Sequence, residues 1–318
     1  MKAGHPSRRI GATRSSSRSI TVAPSDRTAG SKQPDTTTPT AQSGSAPQAR
    51  GTEGSKARRV AFRVVAIVTS LWVLALMFFG LTEIVLMWLP GDTLSSVDDA
   101  LDLGGLDLAH RAHFMSIGVI HWALVLGVLV QLRRPERREA PMLHVAAIAI
   151  SLSVTASLGG SLRVWLLDMV VLVIPLLLLG ILHPRARQLV RTPTWDRVMV
   201  ALATVGVVPW LVFAFTNAQL QWRNVAGDTH AELDHWGTMA LMALLIVACS
   251  FIGATDRSGW RLTAWIATLA SINYGLHSLV YPEPASAASA PWAIAALAWG
   301  IVYATSIIRR SRRTPQVT

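Results

Sequence analysis

Apolar runs long enough to cross about 30 Å of hydrocarbon recur along this chain near residues 64–89, 113–131, 142–160, 162–182, 197–219, 236–254, 261–281 and 290–308. They predict an all-α integral membrane protein with eight transmembrane helices. The polar stretches between the runs are not alike. Basic clusters stand at alternate ends: Lys56, Arg58, Arg59 and Arg63; Arg133, Arg134, Arg137 and Arg138; Arg185, Arg187, Arg191 and Arg197; Arg257 and Arg261; Arg309, Arg310, Arg312 and Arg313. With eight spans all five clusters fall on one side, which the positive-inside rule assigns to the cytoplasm together with both termini. The opposite loops are acidic, with Asp92, Asp98, Asp99, Asp102 and Asp107 in the first and Asp228, Glu232 and Asp234 in the third. Trp88, Trp222, Trp236 and Trp292 mark the outer interface, and Trp195 and Trp260 the inner one, as amphipathic rings prefer.

Two tandem halves are expected within this plan. The segment 76–88, LMFFGLTEIVLMW, aligns without a gap on 210–222, WLVFAFTNAQLQW, matching Phe79 with Phe213, Thr82 with Thr216, Leu86 with Leu220 and Trp88 with Trp222. Glu83 falls opposite Asn217. HRAHF (110–114) lies over ELDHW (232–236), so His113 matches His235, each followed by an aromatic residue. The predicted organisation is a disordered cytoplasmic tail (1–59), a first four-helix half (60–183), a cytoplasmic linker (184–194), a second half (195–309) and a short cytoplasmic tail (310–318). Because each half has an even number of spans, a pseudo-two-fold axis would run along the membrane normal and bring His113 and His235 to equal depth.

Composition narrows the class. The chain is 51% hydrophobic and 15% charged, with a mean hydropathy of +0.41, too apolar for a domain whose surface must face water. The net charge of +11 reads as a topology signal rather than a nucleic-acid footprint, because the Lys and Arg sit at span ends and in the tail. Residues 1 to about 55 are rich in Ser, Thr, Gly, Pro and Arg and cannot bury enough surface to offset chain entropy. The single cysteine, Cys249, excludes an internal disulfide and a thiolate cluster. The first apolar run lies too far in and is too long for a signal peptide. An Arg- and Ser-rich start also fits an organellar transit peptide, whereas Arg over Lys with abundant Ala and Val fits a GC-rich bacterial genome and hence a bacterial plasma membrane.

The candidate chemistry lies in polar residues within the apolar runs. A charge near the bilayer centre costs at least about 2.5–3.5 kcal/mol on insertion scales. Glu83, six residues from the outer end of its run, lies roughly 9 Å below the interface. His277 and Asn273 occupy the outer part of helix 7, Asp168 the outer part of helix 4, and His121 lies about 12 Å below His113. His110 and His113 are three apart, and so are Glu232 and His235, a spacing that puts each pair on one helical face. An outward pocket of His113, His235, Glu83 and His277 is therefore expected to hold a cofactor, and His110, His113, Glu232 and His235 a metal. Imidazole suits haem iron, copper or zinc. The rival is a cofactor-free proton-coupled carrier or membrane scaffold, in which these groups relay protons or hydrogen-bond between helices. No nucleotide-binding loop or Ser-His-Asp order is present. Two tandem four-helix halves with symmetry-related outward histidines are similar in plan to the haem A synthases. Those proteins place a second histidine on the last helix of each half; here helix 8 has none and helix 4 only His183, at its cytoplasmic end, so the resemblance carries no residue roles.

Overall fold

Most of the basic clusters that bound apolar runs in the sequence lie at or between helix ends in space, whereas Lys56, Arg58, Arg59 and Arg63 lie within the first helix, Arg50–Leu86. The computed structural model describes residues 50–101, 110–157, 169–223, 225, 227–282 and 285–313; the expectations for the tail up to residue 49 and for Asp168 lie outside them. Among the described residues the chain is helical, and its only strand-like pairing is an isolated bridge between Trp195 and Thr255. The main helices are α1 (Arg50–Leu86), α2 (Gly91–Leu101), α3 (Arg111–Leu129), α4 (Glu139–Ala156), α5 (Ile174–Leu182), α6 (Arg197–Arg223), α7 (His235–Gly253), α8 (Trp260–Val280) and α9 (Ala290–Arg313).

Among the described residues five stretches are long and apolar enough to cross a membrane: Arg111–Leu132, Glu139–Ala156, Arg197–Arg223, His235–Gly253 and Ala290–Arg313. The fourth expected span is represented by the shorter apolar helix Val170–Leu182. It begins with a π-helical turn, Met169–Val173, just ahead of Pro175. Proline lacks an amide hydrogen and crowds the preceding turn, and a π-turn is one way a helix accommodates that. Within the first acidic loop, 91–101 forms the amphipathic helix α2, with Leu94 fully buried.

Burial runs inside out relative to a water-soluble domain. Val64, Val68, Val205, Phe215 and Ile294 are exposed, on faces of α1, α6 and α9 that carry almost no polar groups. Apolar surface of that extent would drive a soluble protein to associate, and the helical, apolar architecture is compatible with a multi-pass membrane protein. α1 packs on α3, α3 on α4, α4 on α5 and α5 on α1; α6 packs on α7, α7 on α8, α8 on α9 and α9 on α6. α7 and α8 also pack against both α3 and α4.

Small residues set the helix spacing. A side chain on Gly275 would meet the Ala293 carbonyl oxygen at 2.6 Å and the Leu297 amide at 2.9 Å, and one on Gly253 would meet the Ala264 backbone at 2.8 Å. Without a hydrophobic driving force between helices in lipid, such close approach supplies the packing. Gly275→Val is expected to lower the detergent melting temperature, since the colliding atoms are backbone and cannot rotate away; overpacking of this kind costs about 1–3 kcal/mol.

Some polar side chains inside the bundle are paired between helices. His144 on α4 reaches Thr263 Oγ1 on α8 at 3.1 Å with Nδ1 and the Ala123 carbonyl on α3 at 3.1 Å with Nε2. At the end where the basic clusters gather, Arg257 donates to the carbonyls of Gln188 and Arg191, both at 2.6 Å, and Arg310 donates to that of Thr255 at 2.7 Å. These arginines act as loop ties, which satisfy carbonyls that helix ends leave open.

Candidate functional site

At the opposite end, α3 and α7 both begin with a histidine in or just before their first turn. His110 is the residue before α3 and His113 is in its first turn; His235 opens α7. Between α6 and α7 a single helical turn, Thr229–Glu232, carries His230, and Asp228 caps it by accepting a hydrogen bond from the His230 amide at 3.0 Å. Gln221 on α6 fixes this turn. Its amide donates to the Ala231 carbonyl at 2.8 Å and its Oε1 accepts from the Gly237 amide at 3.1 Å. A Cβ on Gly237 would meet Asp234 Oδ1 at 2.5 Å, so that carboxylate would have to turn aside.

The four imidazoles come together. Ring centres lie 4.5 Å apart for His110–His230, 5.0 Å for His230–His113, 4.7 Å for His113–His235 and 4.9 Å for His235–His110. The two remaining pairs, His110–His113 and His230–His235, are 6.3 and 6.1 Å apart. Four short edges and two longer diagonals make a quadrilateral. His113 is fully buried and His235 nearly so. Both nitrogens of His113, Nδ1 of His235 and Nε2 of His230 are buried without a hydrogen-bond partner among the described residues. The other nitrogen of His230, Nδ1, faces Asp228 Oδ1 at 3.3 Å. Trp236 closes one side, its ring stacked on His230 at 4.9 Å and edge-on to His113 at 5.2 Å. Its indole N–H donates to Asp228 Oδ2 at 3.0 Å. That indole hydrogen bond, then the His230 amide and imidazole, outweigh partial burial and hold the Asp228 carboxyl below the usual carboxylate range.

The expected residues divide. His110, His113 and His235 meet. Glu232 does not join them: it is exposed, because the helix is interrupted between it and α7. Asp234 takes a left-handed conformation with φ 56°, so Glu232 and His235 are not on one helical face despite their three-residue spacing. His277 is buried on α8 in a separate aromatic pocket, 5.4 Å from the Trp88 ring and 5.2 Å from that of Tyr281. Arg111 lies 3.9 Å over the Tyr281 ring and donates to the Leu89 carbonyl at 3.0 Å, so it points toward this pocket rather than the four histidines. Glu83 lies within α1, but its side chain is outside the described residues.

His230 and the brace on it, Asp228 with Trp236, were not singled out from the sequence as site residues. The available signal was DTH six residues before DHW, a carboxylate two positions ahead of a histidine on the same loop. Among the described residues no group of three or more His, Cys, Asp or Glu side chains is arranged to hold a metal ion as it stands; the imidazoles lie face and edge against one another. No family model, curated protein or solved structure matches the chain.

Proposed function

We propose that this chain is a multi-pass plasma-membrane protein that binds a transition-metal ion, copper(II) in preference to zinc, between His110, His113, His230 and His235, in a redox role at the outer face. The carrying observation is that four imidazoles meet and that His113, His230 and His235 each bring to the cluster a buried ring nitrogen with no partner among the described residues, a state His277 shares but in a pocket with no other histidine. His144 has a partner on each ring nitrogen, as interhelical packing demands. His113 is equally buried and has none among the described residues. Buried imidazole nitrogens left without protein partners are what a metal would use, since only neutral imidazole ligates.

The shape of the cluster favours copper over haem or zinc. Four imidazoles bound at about 2 Å per metal–nitrogen bond have ring centres about 5 Å apart, close to the distances in the cluster. A tetrahedral set would make all six distances equal, while a planar square would make the diagonals about 1.4 times the edges, and tetragonal nitrogen sets suit copper(II) or nickel(II). Edges of 4.5–5.0 Å with diagonals of 6.1 and 6.3 Å lie between, flattened toward the square. Ring contacts this short leave no slot for a porphyrin. Ring rotation about the staggered side-chain torsions is needed to converge the nitrogens. Asp228 would fix the His230 tautomer with its proton on Nδ1 and Nε2 free, the arrangement carboxylates impose on metal-bound histidines.

The eight-span, two-half plan belongs to the same reading. It is supported by the equivalent neighbours of the two groups of four helices, by His113 and His235 standing in the first turns of α3 and α7, and by Thr82 and Thr216, each bonded to the carbonyl four residues earlier. The native Cys249 is buried, so single-cysteine labelling has a low background. Ser95→Cys is expected to label from outside intact cells and Arg187→Cys only after permeabilisation; labelling of Arg187→Cys in intact cells overturns the orientation. Metal analysis of the purified protein separates the functional readings: stoichiometric copper supports this one, a Soret band means haem instead, and metal-free protein that takes up no copper means the carrier or scaffold.

A further inference from the structure

Beside the histidines, on the far side of Trp236, the bundle encloses a cavity of about 410 Å³ between α6, α8 and α9. We propose that it is a binding site for a neutral ring of the isoprenoid-quinone class, entered sideways from the bilayer. The size is that of a small-molecule site and the lining is largely apolar and aromatic, with Trp210, Phe213, Tyr274 and Trp299 among the walls. Flat π-surfaces gain most from a planar ring stacked or edge-on, more than from an acyl chain.

Two polar atoms give the ring its recognition. Ser286 lines the cavity, is 4% exposed, and its hydroxyl has no hydrogen-bond partner among the described residues. The neighbouring Tyr274 hydroxyl is already used, donating to the Ser286 carbonyl at 2.9 Å. Ser286 Oγ is thus a donor for a ring carbonyl. Asn217 also lines the cavity; its amide nitrogen donates to the Phe213 carbonyl at 2.9 Å, which leaves Oδ1 to accept from a ring hydroxyl. A hydrocarbon tail needs neither group. At the cavity mouth Val205 and Trp292 are both lining residues and exposed, so in a membrane the opening faces lipid rather than water. A ligand that partitions into the bilayer can reach it there. The site stands whether or not the histidines hold a metal, though one indole, Trp236, would be shared by both.

The test uses the purified full-length protein in detergent, with decylubiquinone as probe and tryptophan fluorescence as readout. Saturable quenching is expected. Ser286→Ala should weaken the apparent affinity by about tenfold, the effect of one lost hydrogen bond. Ala296→Phe, which puts a ring into the cavity, should abolish quenching while the melting temperature without ligand stays within a few degrees of the parent. The proposal is overturned by non-saturable quenching, by Ser286→Ala and Ala296→Phe proteins that bind as the parent does, or by stearate competing with the quinone at equal concentration, which would make the cavity a lipid-tail site.

Discussion

Replacing His113 and His235 together by leucine is expected to abolish copper-dependent stabilisation while leaving the metal-free protein as stable as the parent, or more so. Buried nitrogens without partners cost desolvation and return nothing, so an apolar substitute of similar size is nearly neutral or favourable. Both nitrogens of His113 and one of His235 are in that state. With copper present the ordering reverses. A ligand that binds only the native state stabilises it by about 2.7 kcal/mol at a hundredfold excess over Kd, and the double variant forfeits this. His144→Leu is the control. It strips both Thr263 and the Ala123 carbonyl of a partner, and should lose about 1–3 kcal/mol of stability while its copper affinity stays as in the parent. Thermal unfolding of all three proteins, with and without copper, reads the whole pattern. A double variant that loses stability without metal, and keeps its response to copper, would place these histidines with His144 as packing residues.

Asp228 supplies the second large effect, through a tautomer rather than a metal bond. Asp228→Ala is expected to lower copper affinity by about 10–100-fold, the usual cost of losing the group that orients a ligating histidine. Asp228→Asn is the more telling change. Asn caps a helical turn about as well as Asp, and its carbonyl can still accept from the Trp236 indole or the His230 amide. Its NH2 group facing His230 Nδ1 would, however, favour the tautomer with the proton on Nε2, blocking that nitrogen. Copper affinity should therefore fall as far as in the alanine variant, with the loop intact. The pH dependence separates the same roles. A carboxyl whose native pKa is depressed contributes stability above its unfolded value, about 3.9, and loses it as pH falls through the lower native value. The brace on His230, which rests first on the Trp236 hydrogen bond, should thus survive mild acidification. In the Asp228→Asn protein the acid-unfolding midpoint should move upward, as it lacks that contribution.

The helices were largely legible in the sequence because hydrocarbon leaves the backbone few alternatives: polar groups must be satisfied within the segment, so long apolar runs become helices. The Arg197–Arg223 and Ala290–Arg313 helices are the clearest cases. Pro175 was recognisable as a perturbation, but the π-turn before it was not, since local periodicity carries no account of how a turn relaxes. At the site, His110, His113 and His235 stood out because they are ionisable and close to span ends. The Glu232–His235 pairing failed on a backbone event: a helix was extended through Asp234, whose left-handed conformation stops it. His230 was missed for the complementary reason. It lies on a one-turn helix held by Gln221 and Asp228, contacts between segments that no spacing rule encodes. His277 is as buried as His113 but is separated from the four histidines by which face of α8 meets Trp88 and Tyr281.

The most direct measurement is electron paramagnetic resonance of the purified protein, free of affinity-tag histidines, after titration with one equivalent of copper(II). A single tetragonal copper signal is expected at one ion per chain, with hyperfine structure from imidazole nitrogens, and it should be absent from the His113→Leu, His235→Leu protein. A spectrum of aqueous copper from the parent, or a bound signal that survives the double substitution, would contradict a metal site between these four histidines.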